Sequence, residues 1–93
     1  MLPSDVANQL RARDLLPLVD DVCKCRGVTL DDVCGRARSQ AIARARHEVW
    51  WRIRHHPERE YSYPEIARLF ARDHTTIMAG ISAHERRASL APP

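Results

Sequence analysis

Several residue types are scarce in this chain, and each shortage excludes a class of protein. Phe, Trp and Tyr make up 5% of the 93 residues, and only three residues are glycine. The sequence contains neither a glycine-rich phosphate loop of the GxxxxGK[ST] type nor an HExxH zinc motif. No apolar run is long enough for a signal peptide or a membrane span. We therefore expect a cytoplasmic protein that is not an enzyme and that needs no cofactor and no nucleotide.

Cysteine is also rare, with Cys23, Cys25 and Cys34 as the three examples. An odd number of cysteines without a secretory signal argues against a disulfide framework. The spacing of these cysteines fits no structural zinc pattern, because such sites usually consist of two well-spaced ligand pairs. We expect no bound metal.

Lysine occurs once, so fourteen of the fifteen basic residues are arginine. Residues 1–35 carry four bases and six acids, whereas residues 36–93 carry eleven bases and six acids, a balance of −2 against +5. Arginine presents a planar fork of donors that suits phosphates and guanine edges. The basic half is thus either a solvated charged surface or a surface for a polyanion.

Alanine, arginine and leucine are abundant, and few stretches alternate apolar and polar residues, which favours helices. Capping signals and apolar spacing predict helices over about residues 5–13, 15–26, 30–35, 40–56, 63–70 and 74–87. The segment "SLAPP" at 89–93 reads as a tail or the start of a linker. The expected core positions of the last three helices are Ile42, Ala45, Val49, Trp50, Ile53, Ile66, Leu69, Phe70, Ile77 and Ile81.

The stretch "RDHTTIMAG" at 72–80 collects polar side chains at the start of an apolar helical run. A capping box formed by Ser62 and Glu65, a short break and a cap at Asp73 together predict a helix-turn-helix over 62–87. The start of a helix attracts phosphates, and in a helix-turn-helix the early residues of the second helix contact base edges. For His74, capping and base contact remain equally open.

Three segments of the chain follow one another in this order: "RSQAIARARHEVWWRIR", "SYPEIARLF" and "RDHTTIMA". In these segments the chain resembles the C-terminal DNA-binding domain of the bacterial chromosomal replication initiator DnaA. The resemblance covers about residues 15–87. It implies an all-α, Trp-repressor-like fold that binds double-stranded DNA, with a helix-turn-helix in the major groove and a basic loop in the minor groove. We expect an N-terminal helical extension at 1–13, the DNA-binding domain at 14–88 and a tail at 89–93.

The resemblance also implies roles for individual residues. Arg36 and Arg38 belong to the basic loop, and Arg38 matches its minor-groove arginine. Arg46 and His47, where the family commonly has glutamine at the second position, match polar positions that face DNA. The other expected DNA-binding residues are Arg54 as a phosphate contact, Tyr63 and Pro64 at the backbone, Arg72 in the turn, and the base-reading and phosphate-clamping set Asp73, His74, Thr75 and Thr76. The turn "FARDH" lacks the glycines that the family often has there.

Three uses of such a domain stay open. The first is a transcription regulator, including one of a phage-like element. The second is binding to replication-origin boxes in replication initiation or its control. The third is a protein-interaction adaptor with a relic DNA-binding fold. The initiator's ATPase domain is not among these 93 residues, so a freestanding module and an excised fragment are both open. A protein partner or a homodimer is expected because one helix-turn-helix gives modest affinity.

Overall fold

Six helices and short connections make up the computed structural model, which describes residues 2–90 and, for Pro3, the backbone only. No strand occurs in this part of the chain, and the predicted all-α fold is confirmed. None of its helices is both long and apolar enough to cross a membrane. The helices are α1 (Pro3–Ala12), α2 (Leu16–Arg26), α3 (Leu30–Cys34), α4 (Gln40–Arg54), α5 (Tyr63–Phe70) and α6 (His74–Leu90).

Side-chain caps start three of these helices where the sequence predicted them. The hydroxyl of Thr29 accepts from the Asp32 amide at 3.0 Å, and the Asp32 carboxylate accepts from the Thr29 amide at 3.1 Å. The same box joins Ser62 and Glu65 at the start of α5. Ser39 caps α4. These bonds satisfy amides that lack a partner within the helix, so the helix starts are locally encoded.

Two helices end two or more residues away from the predicted position. Helix α4 ends at Arg54, two residues early, with His55 in a non-helical conformation. Helix α6 continues to Leu90, so Ser89 and Leu90 of the expected tail are helical. No glycine or proline interrupts the chain between Arg87 and Leu90, which explains the continuation. The rest of the expected tail lies outside the described residues.

The core forms around α4, which packs against α2, α3, α5 and α6. Trp50 is 2% exposed and meets Phe70 edge-to-face, with ring centroids 6.0 Å apart. Its assignment to the core is confirmed. Ile42, also expected in the core, is only half-buried in the first turn of α4.

Helix α1, which lies in the expected N-terminal extension, packs into the same core. Val6 and Leu10 are buried, and α1 lies against α2, α3 and α5. Its burial removes apolar surface from water, which stabilises the bundle.

Helix α6 approaches α4 closely at Gly80. A Cβ atom at this position would lie 2.6 Å from Cζ3 of Trp50 and 2.7 Å from Cδ2 of His47. Any larger residue therefore requires a shift of α4 or α6. The glycine sets the distance between the central helix and the second helix of the helix-turn-helix.

Candidate nucleic-acid interface

A three-residue break separates α5 from α6 and forms the turn of the predicted helix-turn-helix. Ala71 ends α5 in the left-handed conformation, with φ 54° and ψ 48°. The amide of Arg72 then donates to the carbonyl of Ala67 at 2.9 Å. A left-handed alanine costs about 1 kcal/mol because its Cβ crowds the backbone. The turn thus keeps its tight geometry without a glycine.

The start of α6 presents a row of exposed polar residues. Asp73, His74, Thr75 and Thr76 are exposed, whereas Ile77 is fully buried. The carbonyl of Asp73 accepts the first helical hydrogen bonds, but within residues 2–90 its carboxylate makes none, so the expected side-chain cap is not seen. The side chains of the next three residues also make no hydrogen bond in this range. All four side chains are therefore available to a ligand.

The loop between α3 and α4, residues 35–39, lies beside this turn and is called the basic loop below. The guanidinium of Arg72 donates to the carbonyl of Gly35 at 2.7 Å, and that of Arg36 donates to the carbonyl of Ala71 at 3.2 Å. These two bonds run in opposite directions between loop and turn. Arg38 is exposed and makes no hydrogen bond with the described chain. The fold thus brings the basic loop next to the start of α6.

Arg46 is buried beneath the basic loop, with 6% of its surface exposed. Its Nε donates at 3.1 Å, its Nη1 at 2.7 Å and its Nη2 twice at 2.7 Å, always to main-chain carbonyls. Burial, and then the charge of Arg72, lower its pKa. The expectation that Arg46 faces DNA is corrected, because its guanidinium is enclosed and its donors are used inside the protein. The four accepting carbonyls belong to Asp32, Val33, Gly35 and Ala37.

The arginines of this region carry uncompensated charge. Within residues 2–90, Arg36, Arg38 and Arg72 form no ion pair with a carboxylate, and neither does Arg46. Four arginines elsewhere, Arg26, Arg52, Arg54 and Arg59, are paired with carboxylates, as in the pair of Arg26 with Glu48 at 2.6 Å. The basic loop and the turn carry positive charge that no carboxylate pairs with in the described residues, so an anion would be attracted there.

A model of the family described as the bacterial dnaA protein helix-turn-helix matches residues 18–83, more than half of the chain. The chain belongs to this family. The DnaA helix-turn-helix is a module that binds double-stranded DNA, and it is not itself catalytic. The matched range includes the basic loop, the turn and the start of α6. No solved structure matches the chain.

In this DnaA-type domain His47 faces α6 and not the exposed row. Its Nδ1 lies 3.0 Å from Nη2 of Arg87, and its ring lies 5.6 Å from that of Trp50. Burial, together with the charge of Arg87, lowers the pKa of His47 to about 4. The resemblance led us to expect His47 to face DNA; in the structure its ring is half-buried between α4 and α6, where Gly80 approaches closely.

Arg54 and Tyr63 meet where α4 ends and α5 begins. The guanidinium carbon of Arg54 lies 4.4 Å from the centre of the Tyr63 ring, and its Nη1 donates to the carbonyl of Tyr61 at 2.8 Å. Glu60 lies 3.3 Å from the same nitrogen and offsets part of the charge. Both Arg54 and Tyr63 are half-buried, and Pro64 beside them is exposed. The DnaA-type domain thus holds these residues together at the edge of its first motif helix.

A shallow groove joins α5 to the start of α6, and two exposed residues in it or near it were not expected from the sequence. It contains Arg68, which is exposed on the face of α5 opposite the buried residues. Met78, 42% exposed, lies one turn beyond His74 on α6. Both lie four residues from an expected site position, Arg68 from Pro64 and Met78 from His74, and this helical spacing could have identified them. The groove is lined by Pro64, Ala67, Arg68, Ala71, Arg72, Asp73 and His74.

Proposed function

We propose that this DnaA-type domain binds duplex DNA in a sequence-specific manner, with the start of α6 in the major groove and the basic loop in the minor groove. The observation that carries the proposal is the pair of opposed bonds between Arg72 and Gly35 and between Arg36 and Ala71. They hold two separate reading elements side by side on one positively charged surface. Such pairing of a recognition helix with a minor-groove arm is a general mode of DNA reading.

The side chains at the start of α6 have the donors and acceptors that base edges require. Asp73 accepts from the amino group of cytosine or adenine, and His74 and Thr75 hydrogen-bond to base edges. The methyl group of Thr75 also suits the thymine methyl. Thr76, together with the amides and dipole of the helix start, receives a phosphate. Because these side chains have no internal hydrogen bonds, their contacts with DNA displace only water.

The basic residues around this row bind the backbone and the minor groove. Arg38 is exposed and unpaired, as an arginine inserted into a narrow minor groove needs to be. Arg36 and Arg72 each use one guanidinium nitrogen internally and keep the others for phosphates. Arg54 supports a phosphate contact beside Tyr63 and Pro64.

These residues would allow the domain to occupy a site on duplex DNA. Because occupancy alone can regulate a promoter, we assign the domain to transcription regulation in the nucleoid. Occupancy next to a promoter changes access for the transcription machinery without ATP. The alternative is binding to replication-origin boxes, which uses the same surface. A single helix-turn-helix domain has modest affinity for DNA, so a homodimer or a protein partner completes the DNA-binding unit. Mapping the bound sites across a genome separates promoters from origins.

The first experiment is fluorescence anisotropy with two labelled duplexes, one with a TTATCCACA-type initiator box and one scrambled. Each is titrated across a salt series. With about five phosphate contacts, log K should fall against log salt with a slope of about −4.5. Preference for the box indicates initiator specificity. Equal, salt-steep binding to both indicates another target, to be found by selection from random duplexes. Absence of binding to either contradicts the proposal and favours the protein-interaction adaptor.

Matched variants test the site itself. Thr75→Ala and His74→Ala should each weaken binding to the preferred duplex by about 1–3 kcal/mol and leave binding to the scrambled duplex nearly unchanged. Arg86→Ala is the control, because it removes an exposed charge about 18 Å along α6 from His74. If Arg86→Ala reduces the preference for one duplex over the other as much as Thr75→Ala does, the assignment of base reading to the start of α6 is wrong.

A further inference from the structure

Arg46 donates to four main-chain carbonyls of one short segment, residues 32–37, from another helix. They lie 9 to 14 residues before Arg46 in the chain. Two belong to the end of α3, at Asp32 and Val33, and two belong to the basic loop, at Gly35 and Ala37. One guanidinium thus spans the end of a helix and most of the loop that follows.

Helix ends explain why these carbonyls accept a cation. The last carbonyls of α3 have no amide partner within the helix, and the helix dipole places negative charge there. A guanidinium with five N–H groups in a rigid fork can serve several such acceptors at once. Arg46 therefore closes α3 and fixes the path of the loop.

The carbonyl of Gly35 also links this arrangement to the turn. It accepts from Nη2 of Arg46 and from Nη2 of Arg72, each at 2.7 Å. The loop is therefore held from below by α4 and from the side by the helix-turn-helix. Arg38 follows directly, one residue after the last carbonyl that Arg46 binds.

We infer that Arg46 is a positioning residue for DNA reading, which holds the basic loop so that Arg38 reaches the minor groove while α6 occupies the major groove. It acts through the loop and does not touch DNA. The inference rests on the proposed function, but the effect of Arg46 on the basic loop exists in the free protein as well.

The first test uses the free protein. Arg46→Lys keeps the charge but replaces a fork of donors with a single ammonium, so it cannot serve all four carbonyls. Arg44→Lys, at an exposed position on the same helix, is the matched control. Under brief trypsin treatment, cleavage after Arg36 and Arg38, located by mass spectrometry, should become on the order of tenfold faster in Arg46→Lys only. Unchanged cleavage of the loop would overturn the role of Arg46.

The second test uses DNA and a double-mutant cycle. In the parent chain Arg38→Ala should weaken binding to the preferred duplex on the order of tenfold. In the Arg46→Lys background the same substitution should have less than about a twofold effect, because the loop no longer delivers Arg38. Thr75→Ala should keep its full effect in both backgrounds. Equal effects of Arg38→Ala in the two backgrounds would contradict the inference, because a general loss of stability does not couple selectively to Arg38.

A measurement on the unaltered protein decides the matter if Arg46→Lys does not fold. Four hydrogen bonds should restrict rotation of the Arg46 guanidinium and separate its Nη signals in NMR spectra. In the complex, intermolecular NOEs should join the Arg38 side chain to DNA protons, and none should join the Arg46 guanidinium to DNA. Intermolecular NOEs from the Arg46 guanidinium would show direct contact and refute the inference. If the unaltered chain binds no duplex, the proposed function fails, while the protease result still decides the role of Arg46 in the loop.

Discussion

Gly80→Ala is the substitution whose effect follows most directly from the structure. The new Cβ would lie 2.6 Å and 2.7 Å from Cζ3 and Cε3 of Trp50, and 2.7 Å from Cδ2 of His47. Carbon atoms in good contact are about 3.5–4.0 Å apart, so α6 or the rings must move by about 1 Å. Trp50 cannot rotate away easily, because it is 2% exposed and packs edge-to-face on Phe70.

The expected size of the effect is a difference between two opposing contributions. Overpacking of a close-packed core costs about 1–3 kcal/mol, and two rigid neighbours place this site in the upper half of that range. Replacement of glycine by alanine within a helix stabilises it by up to about 1 kcal/mol. We predict a net loss of about 1–2 kcal/mol in the free energy of unfolding. The melting temperature should fall by about 5–15 °C in a domain of this size.

Urea unfolding followed by circular dichroism measures this loss. Ala79→Gly, at the exposed neighbouring position, is the control that gives the helix-propensity contribution alone. The cost of Gly80→Ala should also shrink in a Trp50→Leu background, since the ring responsible for the clash is then missing. A Gly80→Ala protein as stable as the parent, or an equal cost in both backgrounds, would refute the steric argument.

Three further changes test other parts of the structure. Ala71→Gly should stabilise the fold by about 0.5 kcal/mol in urea unfolding, since relief of the left-handed alanine exceeds the entropy that glycine adds to the unfolded chain; a loss of stability would contradict the strained turn. Burial keeps His47 neutral in the folded state down to about pH 4, against an ordinary pKa of 6.5, so the unfolded state takes up the proton first. Stability should therefore fall from pH 6.5 towards pH 4, and His47→Gln should flatten that fall without changing DNA affinity. Arg54→Ala should weaken binding to every duplex and make the salt slope shallower by about one, and a change confined to one sequence would exclude a phosphate contact.

The elements of the fold could be predicted because their signals are local. Thr29 with Asp32, and Ser62 with Glu65, lie three residues apart, so one turn of helix brings each pair into contact whatever the rest of the chain does. The spacing of the buried residues in α4 is equally local. These features need no knowledge of distant partners.

The roles of Arg46 and His47 could not be predicted for the opposite reason. The carbonyls that bind Arg46 come from another helix and a loop, and Arg87, the partner of His47, lies 40 residues along the chain. From the sequence both residues are polar positions at the flank of an apolar helix, which usually face solvent or a ligand. Only the packing of α3 and α6 on α4 shows that they face inwards.

The conformation of the turn between α5 and α6 could not be predicted for a third reason. The turn lacks the glycines that the family often has there, yet Ala71 adopts the left-handed conformation that a glycine would favour. The buried residues on either side, Phe70 and Ile77, require the two helices to meet at this point. Tertiary packing thus overrides the local preference of one residue, at a cost that the Ala71→Gly substitution measures.

Residues that hold the fold and residues of the proposed reading surface lie within a few positions of each other at the turn. Arg72 donates to the basic loop, so we expect its substitution to change the fold as well as any contact with phosphate. His74, Thr75 and Thr76 make no side-chain hydrogen bond in the described chain, so we expect their substitution to leave the loop and the turn in place. If the proposed function holds, base preference can then change at the start of α6 without loss of the fold. A library randomised at these three positions should yield folded proteins with altered target sequences, whereas randomising Arg72 should yield many that unfold at lower temperature.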